Sequence, residues 1–288
     1  MASDFLYQAK GLLRQHRVGS QATQAARLKT MTLIDRQLRE AGVKRLQLRN
    51  LKPKHIERVL SLWKEQGLSA GTIKNRMAHI RWVSERIGKS GLCAASNASM
   101  GIEQRQYVTN EQKAVQLDFG ALERISEPHL RMSFRLQEAF GLRREEAMKI
   151  QPMQADKGTH LHLHKTKGAR PRDVAIRTEV QRKLLDEAKA LARSGSLIPS
   201  ERTYKQQMKL YEREAIKLGA GFKGHGLRHA YAQQRYLELT GRLAPAAGGE
   251  STKGLSGEAK TLDFEARMQI SNELGHGRES VTAVYLGR

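Results

Sequence analysis

Four short pieces of this 288-residue chain carry side chains that together could break a phosphodiester bond. In chain order they are Gly141-Leu142-Arg143-Arg144-Glu145-Glu146, Lys165-Thr166-Lys167-Gly168, His225-Gly226-Leu227-Arg228-His229, and Leu274-Gly275-His276 with Tyr285 nine residues further on. Such a cleavage needs a nucleophile, compensation for charge gathering on the non-bridging oxygens, and an acid for the departing oxygen. Arg143 and Arg228 suit the second task, because a guanidinium stays charged and can donate two parallel hydrogen bonds to phosphate oxygens. His225 stands three residues before Arg228, so on a helix the two share a face, and Gly224 and Gly226 mark a helix entrance where backbone amides attract anions. Its imidazole, with an ordinary pKa near ~6.5, can hold or release a proton at working pH. Tyr285 is a poor nucleophile at its reference pKa of ~10 and would need cationic surroundings that favour the phenolate.

Taken singly these pieces are weak, since an isolated His-x-x-Arg is usually a surface helix and a lone tyrosine usually packs or faces solvent. Their joint order, in the second half of a basic chain, resembles the tyrosine recombinase (phage integrase) family, whose catalytic pattern is Arg, Lys, HxxR, His and Tyr. The resemblance runs from roughly residue 115 to the end. It implies that Arg143 and Arg228 clamp the scissile phosphate, that His225 is the general acid/base, and that His276 hydrogen-bonds the phosphate. Tyr285 would attack and leave a 3′-phosphotyrosine, while Lys167 on a β-hairpin, with Lys165 as its rival, would protonate the leaving 5′ oxygen. Glu146, three residues after Arg143, resembles the family's acidic residue and would orient an arginine.

The implied function is site-specific cleavage and rejoining of DNA with no cofactor and no metal, the bond being stored in the tyrosyl ester. Type IB topoisomerase-like relaxation, and a non-catalytic DNA-binding architectural or regulatory protein, are the alternatives. The resemblance also implies double-stranded DNA as partner, a homo-tetramer on synapsed DNA, and accessory DNA-bending or directionality factors. The sequence stops three residues after Tyr285, where many members of that family continue into a helix that docks on a neighbouring subunit, so the mode of subunit exchange stays open.

Charge agrees with a polyanionic partner. The chain has 51 Lys and Arg against 29 Asp and Glu, a net +22 that exceeds what solubility alone would ask. Up to residue 106 there are 20 basic and 7 acidic residues (+13), and 31 and 22 (+9) thereafter, so both parts are expected to meet phosphate. Cys93 is the only cysteine, which excludes an intrachain disulfide and a CxxC zinc site. The first residues interrupt their apolar run with charge too early for a signal peptide, and no apolar stretch reaches the ~18 residues of a membrane span. The expectation is a cytoplasmic, nucleoid-associated protein without a membrane partner.

The elements that would position these groups read as mainly α with a small β-sheet. A helical core-binding domain over 1–106 precedes a tyrosine-recombinase-like catalytic domain over 111–288, with a small and polar linker at about 95–110. In the first part, Met31, Ile34 and Leu38, then Ile56, Val59, Leu60 and Trp63, then Ile73, Met77, Ile80, Val83 and Ile87 recur at helical spacing, and Ser69 can cap the third helix. The segment GLSAGTIKNRMAHIRWV resembles the family's core-binding domain, and together the two domains would clamp a duplex. Lys74, Arg76 and Arg81 fall outside the apolar stripe and are the expected DNA contacts.

Further on, Phe119 to Ile125, Leu130 to Phe140, Arg144 to Ile150, Glu179 to Arg193, Tyr204 to Leu218 and Gly226 to Leu239 read as helices. Thr159 to Ile176 reads as a hairpin and Gly241 to Lys260 as a flexible loop. In the hairpin, Leu161 and Leu163 should face inward, and His160, His162 and His164 should face solvent or DNA rather than a metal. Trp63 and Trp82 are expected to pack rather than stack on bases.

Overall fold

The computed structural model describes residues 3–94, 96–164 and 171–288. The chain divides into two compact units, Met1–Gln106 and Tyr107–Arg288.

Among the described residues the first unit holds four α-helices, α1 (Asp4–Gln15), α2 (Gln21–Glu40), α3 (Pro53–Glu65) and α4 (Ala70–Arg86). Ser3, Ser20 and Ser69 cap α1, α2 and α4 by accepting from the amides of Leu6, Thr23 and Thr72, and Pro53 opens α3, where no donor is needed. All three expected stripes enter the core. Helix α1, absent from the sequence reading, adds Phe5 and Ala9 to it: its charges lie on the outer face, and a period of four keeps the apolar residues inward. Trp63 is fully buried and donates its indole N–H to Gln37 Oε1 at 2.9 Å. Trp82 is half-buried, with the guanidiniums of Arg27 and Arg86 each 4.0 Å from its ring centroid, so the ring already has intramolecular partners.

Residues 102–118, which lead from the first unit into the second, are in neither helix nor strand; Ile102 belongs to the core of the first unit and Leu117 to that of the second. There follow α5 (Phe119–Glu123), α6 (Pro128–Phe140), α7 (Arg144–Lys149) and α8 (Pro152–Ala155). The hairpin is β1 (His160–Leu163) against β2 (Arg172–Ala175), antiparallel, with Leu161 opposite Val174 and Leu163 opposite Arg172. Leu161, Leu163 and Val174 are buried as the alternation requires, while His162 turns to Asp173, 2.5 Å from its carboxylate. Helices α9 (Glu179–Ala192), α10 (Tyr204–Glu214), α11 (His225–Thr240), α12 (Gly257–Glu273) and α13 (Glu279–Leu286) complete the unit. Its larger core gathers Leu136, Phe140, Leu142, Leu185, Ile270 and Leu286.

The expectation of a flexible loop over 241–260 is corrected. Pro245–Ala247 and Thr252–Gly254 are 3-10 turns, α12 already starts at Gly257, and Ala244, Pro245 and Ala246 are buried. Small residues here serve close approach: a Cβ on Gly249 would stand 2.0 Å from the Leu243 carbonyl oxygen. No helix among the described residues is long and apolar enough to cross a membrane.

Candidate active site

Glycines make the turns that bring the reactive pieces together. Helix α6 ends at Gly141 with φ +59, and a Cβ there would lie 2.5 Å from Tyr231 Cδ1. The chain can therefore double back at once and place Arg143 at the start of α7, where the Glu146 carboxylate accepts the Arg143 amide at 2.8 Å. At the head of α11, Gly226 lacks the Cβ that would meet Val115 Cγ2 at 2.6 Å, so the extended strip around Val115 crosses the first helical turn and donates its amide to the Gly226 carbonyl. Gly275, at φ +70 after α12, turns His276 back toward the centre.

Arg228 is the hub, with no exposed surface. Its Nη1 donates to the Gly141 carbonyl, its Nη2 to the Leu274 carbonyl, and its Nε to the Tyr285 hydroxyl at 3.3 Å. The same Leu274 oxygen accepts Arg143 Nη2 at 3.1 Å, so a single carbonyl ties both arginines to the end of α12. Tyr285 is 5% exposed and its ring is surrounded by imidazoles: His276 stacked with centroids 5.5 Å apart, His225 at 5.6 Å and His229 at 4.7 Å. Its helix is pinned from behind, because Gln233 Nε2 donates to the Tyr285 carbonyl at 3.2 Å and Arg267 Nη1 to that of Gly287 at 3.0 Å.

The electrostatics follow from burial among cations. Burial, then Arg228 and Arg143, hold the His276 pKa down to about 3, and the same causes lower that of His225. Burial followed by His225 lowers His229 to about 4. All three imidazoles are therefore neutral near pH 7. Burial pulls Arg228 down to about 10, which leaves it a cation. For Glu146, burial alone would raise the pKa, but Arg172 and then Arg143 overcome it and set it at about 2.

Of the residues expected from sequence, Arg143, Glu146, His225, Arg228, His276 and Tyr285 thus meet in one cluster. Lys167 and its rival Lys165 lie outside the described residues. In the first unit, Lys74 is half-buried, Arg76 lies over the Trp63 ring at 4.9 Å, and Arg81 donates to Asn97 Oδ1 at 2.9 Å, so the last two also have intramolecular work. Sequence reasoning missed His229 and Arg172. His229 follows His225 by four, one helical turn along the same face. Arg172 alternates with buried Val174, which places it on the inner face of β2, and it grips Glu146 through Nη1 at 2.9 Å and Nη2 at 2.7 Å.

Comparison with known proteins fits this geometry. A family model described as phage integrase, N-terminal, matches residues 3–93, and one described as integrase matches residues 104–234. The folded chain is similar to lambda integrase in a dimer bound to a COC′ core site, with a TM-score of 0.66 and 14% identity over 99% of this chain and 77% of that one. It is similar to lambda integrase in a tetramer bound to a Holliday junction (TM-score 0.58, 14% identity, 96% and 77% covered). It is also similar to the Tn1549 transposon integrase in complex with circular intermediate DNA (TM-score 0.58, 12% identity, 100% and 96% covered). No curated protein sequence matches the chain. At these identities the structures speak for the fold, whereas the two family models together span most of the chain. The chain belongs to the phage integrase family, the site-specific DNA recombinases of the tyrosine type. His276 and Tyr285 lie beyond the matched residues, so their roles rest on geometry.

Proposed function

We propose that Tyr285 cleaves one strand of duplex DNA and holds it as a 3′-phosphotyrosine until another 5′ hydroxyl reclaims it. The observation that carries this reading is the Tyr285 hydroxyl at 3.3 Å from Nε of a wholly buried arginine, inside a ring of neutral imidazoles. An oxygen so placed has a cation to stabilise its developing charge and bases to receive its proton. In the forward step the phenol oxygen bonds to phosphorus and its proton passes to His225. The bond to the 5′ oxygen breaks, and Lys167 supplies the proton that oxygen needs. Arg143 and Arg228 compensate the phosphate, and His276, whose Nε2 faces Arg228 Nη2 and whose Nδ1 has no hydrogen-bond partner among the described residues, donates through Nδ1 to a non-bridging oxygen. Reversal with a different 5′ end is recombination, with no net change in bond type and no cofactor.

In this reading residues 1–106 are the core-binding domain and residues 111–288 the catalytic domain. Lys74, Arg76 and Arg81 lie on a basic helix that meets the DNA backbone, and Arg76 and Arg81 can serve only by giving up or sharing their present contacts. The tetramer on a Holliday junction seen for lambda integrase supports four copies acting on two synapsed duplexes. The same reading expects the work to be done in the cytoplasm at the nucleoid, with accessory bending or directionality factors. The test starts by selecting the DNA that the protein binds and nicking it so that the short 5′ fragment diffuses away after cleavage. A denaturant-resistant adduct whose peptide mass maps to Tyr285 is the expected result. Binding without an adduct would favour an architectural role, and relaxation of supercoils without strand exchange a topoisomerase-like one.

A further inference from the structure

The chemistry above leaves one buried cation of the centre without a task, Arg172. Its side chain is 4% exposed and the Glu146 side chain it grips is 3% exposed, whereas Arg143, on the other side of that carboxylate, is 21% exposed. Glu146 Oε1 accepts Arg143 Nη1 at 2.7 Å and Arg172 Nη1 at 2.9 Å, while Oε2 accepts the Arg143 amide at 2.8 Å and Arg172 Nη2 at 2.7 Å. Arg172 therefore has the two-pronged pairing and Arg143 a single side-chain bond. A carboxylate shared with Arg143 alone would form a neutral pair and cancel the charge a phosphate needs. Shared between two guanidiniums, it leaves one positive charge over, and the more exposed partner is the one able to present it. Arg172 is sealed behind the carboxylate, so it acts through Arg143 and not on substrate.

We propose that Arg172 is a positioning residue that occupies the Glu146 carboxylate and thereby leaves Arg143 free to carry its charge to the phosphate. Glu146 can then fix the direction of Arg143 without neutralising it. The second anchor of Arg172 fits the task, since its Nε donates to the Glu273 carbonyl at 2.8 Å, one residue before the carbonyl that holds Arg143 and Arg228. Gly275 is needed there too, because a Cβ would come within 2.8 Å of Arg172 Cδ.

This inference rests on the phosphodiester-cleaving reading of the site, but one readout does not require cleavage. Affinity for inorganic phosphate, measured calorimetrically on the DNA-free chain, should fall about tenfold in Arg172→Met and recover in the double variant Glu146→Gln, Arg172→Met, where no carboxylate charge remains to cancel Arg143. Arg172→Lys, which keeps the charge and loses the fork, should stay within about threefold of the unmodified chain. Adduct formation on nicked DNA should follow the same order, with a loss of about a hundredfold in Arg172→Met and at least tenfold recovery in the double variant. A double variant that is folded by circular dichroism yet no better than Arg172→Met overturns the proposal and makes Arg172 a packing residue. If Arg172→Met does not fold, Arg172→Lys decides: phosphate binding lost with the fold intact would equally overturn it. An unmodified chain that makes no adduct but shows the phosphate pattern would sink the Tyr285 reading and leave this one standing.

Discussion

Replacing Tyr285 by Phe removes one oxygen and should separate catalysis from folding cleanly. That oxygen makes a single described side-chain contact, a 3.3 Å bond from Arg228 Nε, long for an N–H donor. Arg228 keeps its bonds to the Gly141 and Leu274 carbonyls, and its Nη2 lies 3.4 Å from His276 Nε2, so the substitution leaves one N–H of a well-held guanidinium unpaired. The residue is 5% exposed, and a Phe ring keeps the contacts with three histidines. The expected stability loss is that of one weak buried hydrogen bond, about 1 kcal/mol, read as a shift in urea midpoint at unchanged slope. DNA affinity should stay within about threefold, because neither the arginines nor the surface charge has changed. Adduct on the nicked substrate should disappear altogether, since a Phe carbon offers no nucleophile. An adduct that persists in Tyr285→Phe would refute the assignment outright. A stability loss above about 3 kcal/mol would refute the argument that the ring, and not the hydroxyl, carries the packing.

Gly141→Ala should destabilise the second unit by about 2 kcal/mol or more in urea unfolding, because φ +59 is strained for alanine and the new methyl would meet Tyr231 at 2.5 Å; an unchanged midpoint would show that α6 and α7 can be joined another way. Lys167→Ala should slow adduct formation on ordinary DNA but be largely rescued when sulfur replaces the leaving 5′ oxygen, a better leaving group needing little acid help; if only Lys165→Ala is rescued, Lys165 is the acid. Acid should unfold the protein early. Unfolded histidines titrate near ~6.5, while His229 and His276 in the fold titrate at about 4 and about 3, so their share of stability is full above pH 6.5 and drains as pH falls toward those values. That share is on the order of 3 kcal/mol for His229, and a urea midpoint that stays flat from pH 7 to pH 5 would contradict buried neutral imidazoles.

The parts of this protein that were legible in its sequence are those fixed by local rules. Ser69 caps α4 and the stripe from Ile73 to Val83 is buried because capping and helical periodicity act over a few residues. His225 and Arg228 were legible as a pair for the same reason. What ties Arg228 to Arg143 and to the end of α6 was not, because the connectors are the carbonyls of Leu274 and Gly141, and a main-chain oxygen is the same at every residue. Arg172 was overlooked for a different reason: an arginine in a strand is ordinarily solvent-facing, and only the knowledge that Glu146 lies behind β2 makes an inward one favourable. Helix α12 hid in the same way. It buries Asp263 and Arg267 as an ion pair completed by the Tyr236 hydroxyl, so it lacks the one-sided apolar stripe by which a surface helix is recognised. Buried Arg267 in turn holds the end of the helix that carries Tyr285. The charges that eluded a periodicity argument are buried ones that need partners far away in the chain, Glu146 for Arg172, the Tyr236 hydroxyl for Asp263 and the Gly287 carbonyl for Arg267. Those long-range pairs also set the direction of the reactive groups, which is why the chemistry could be named from residue types before the geometry that delivers it could be.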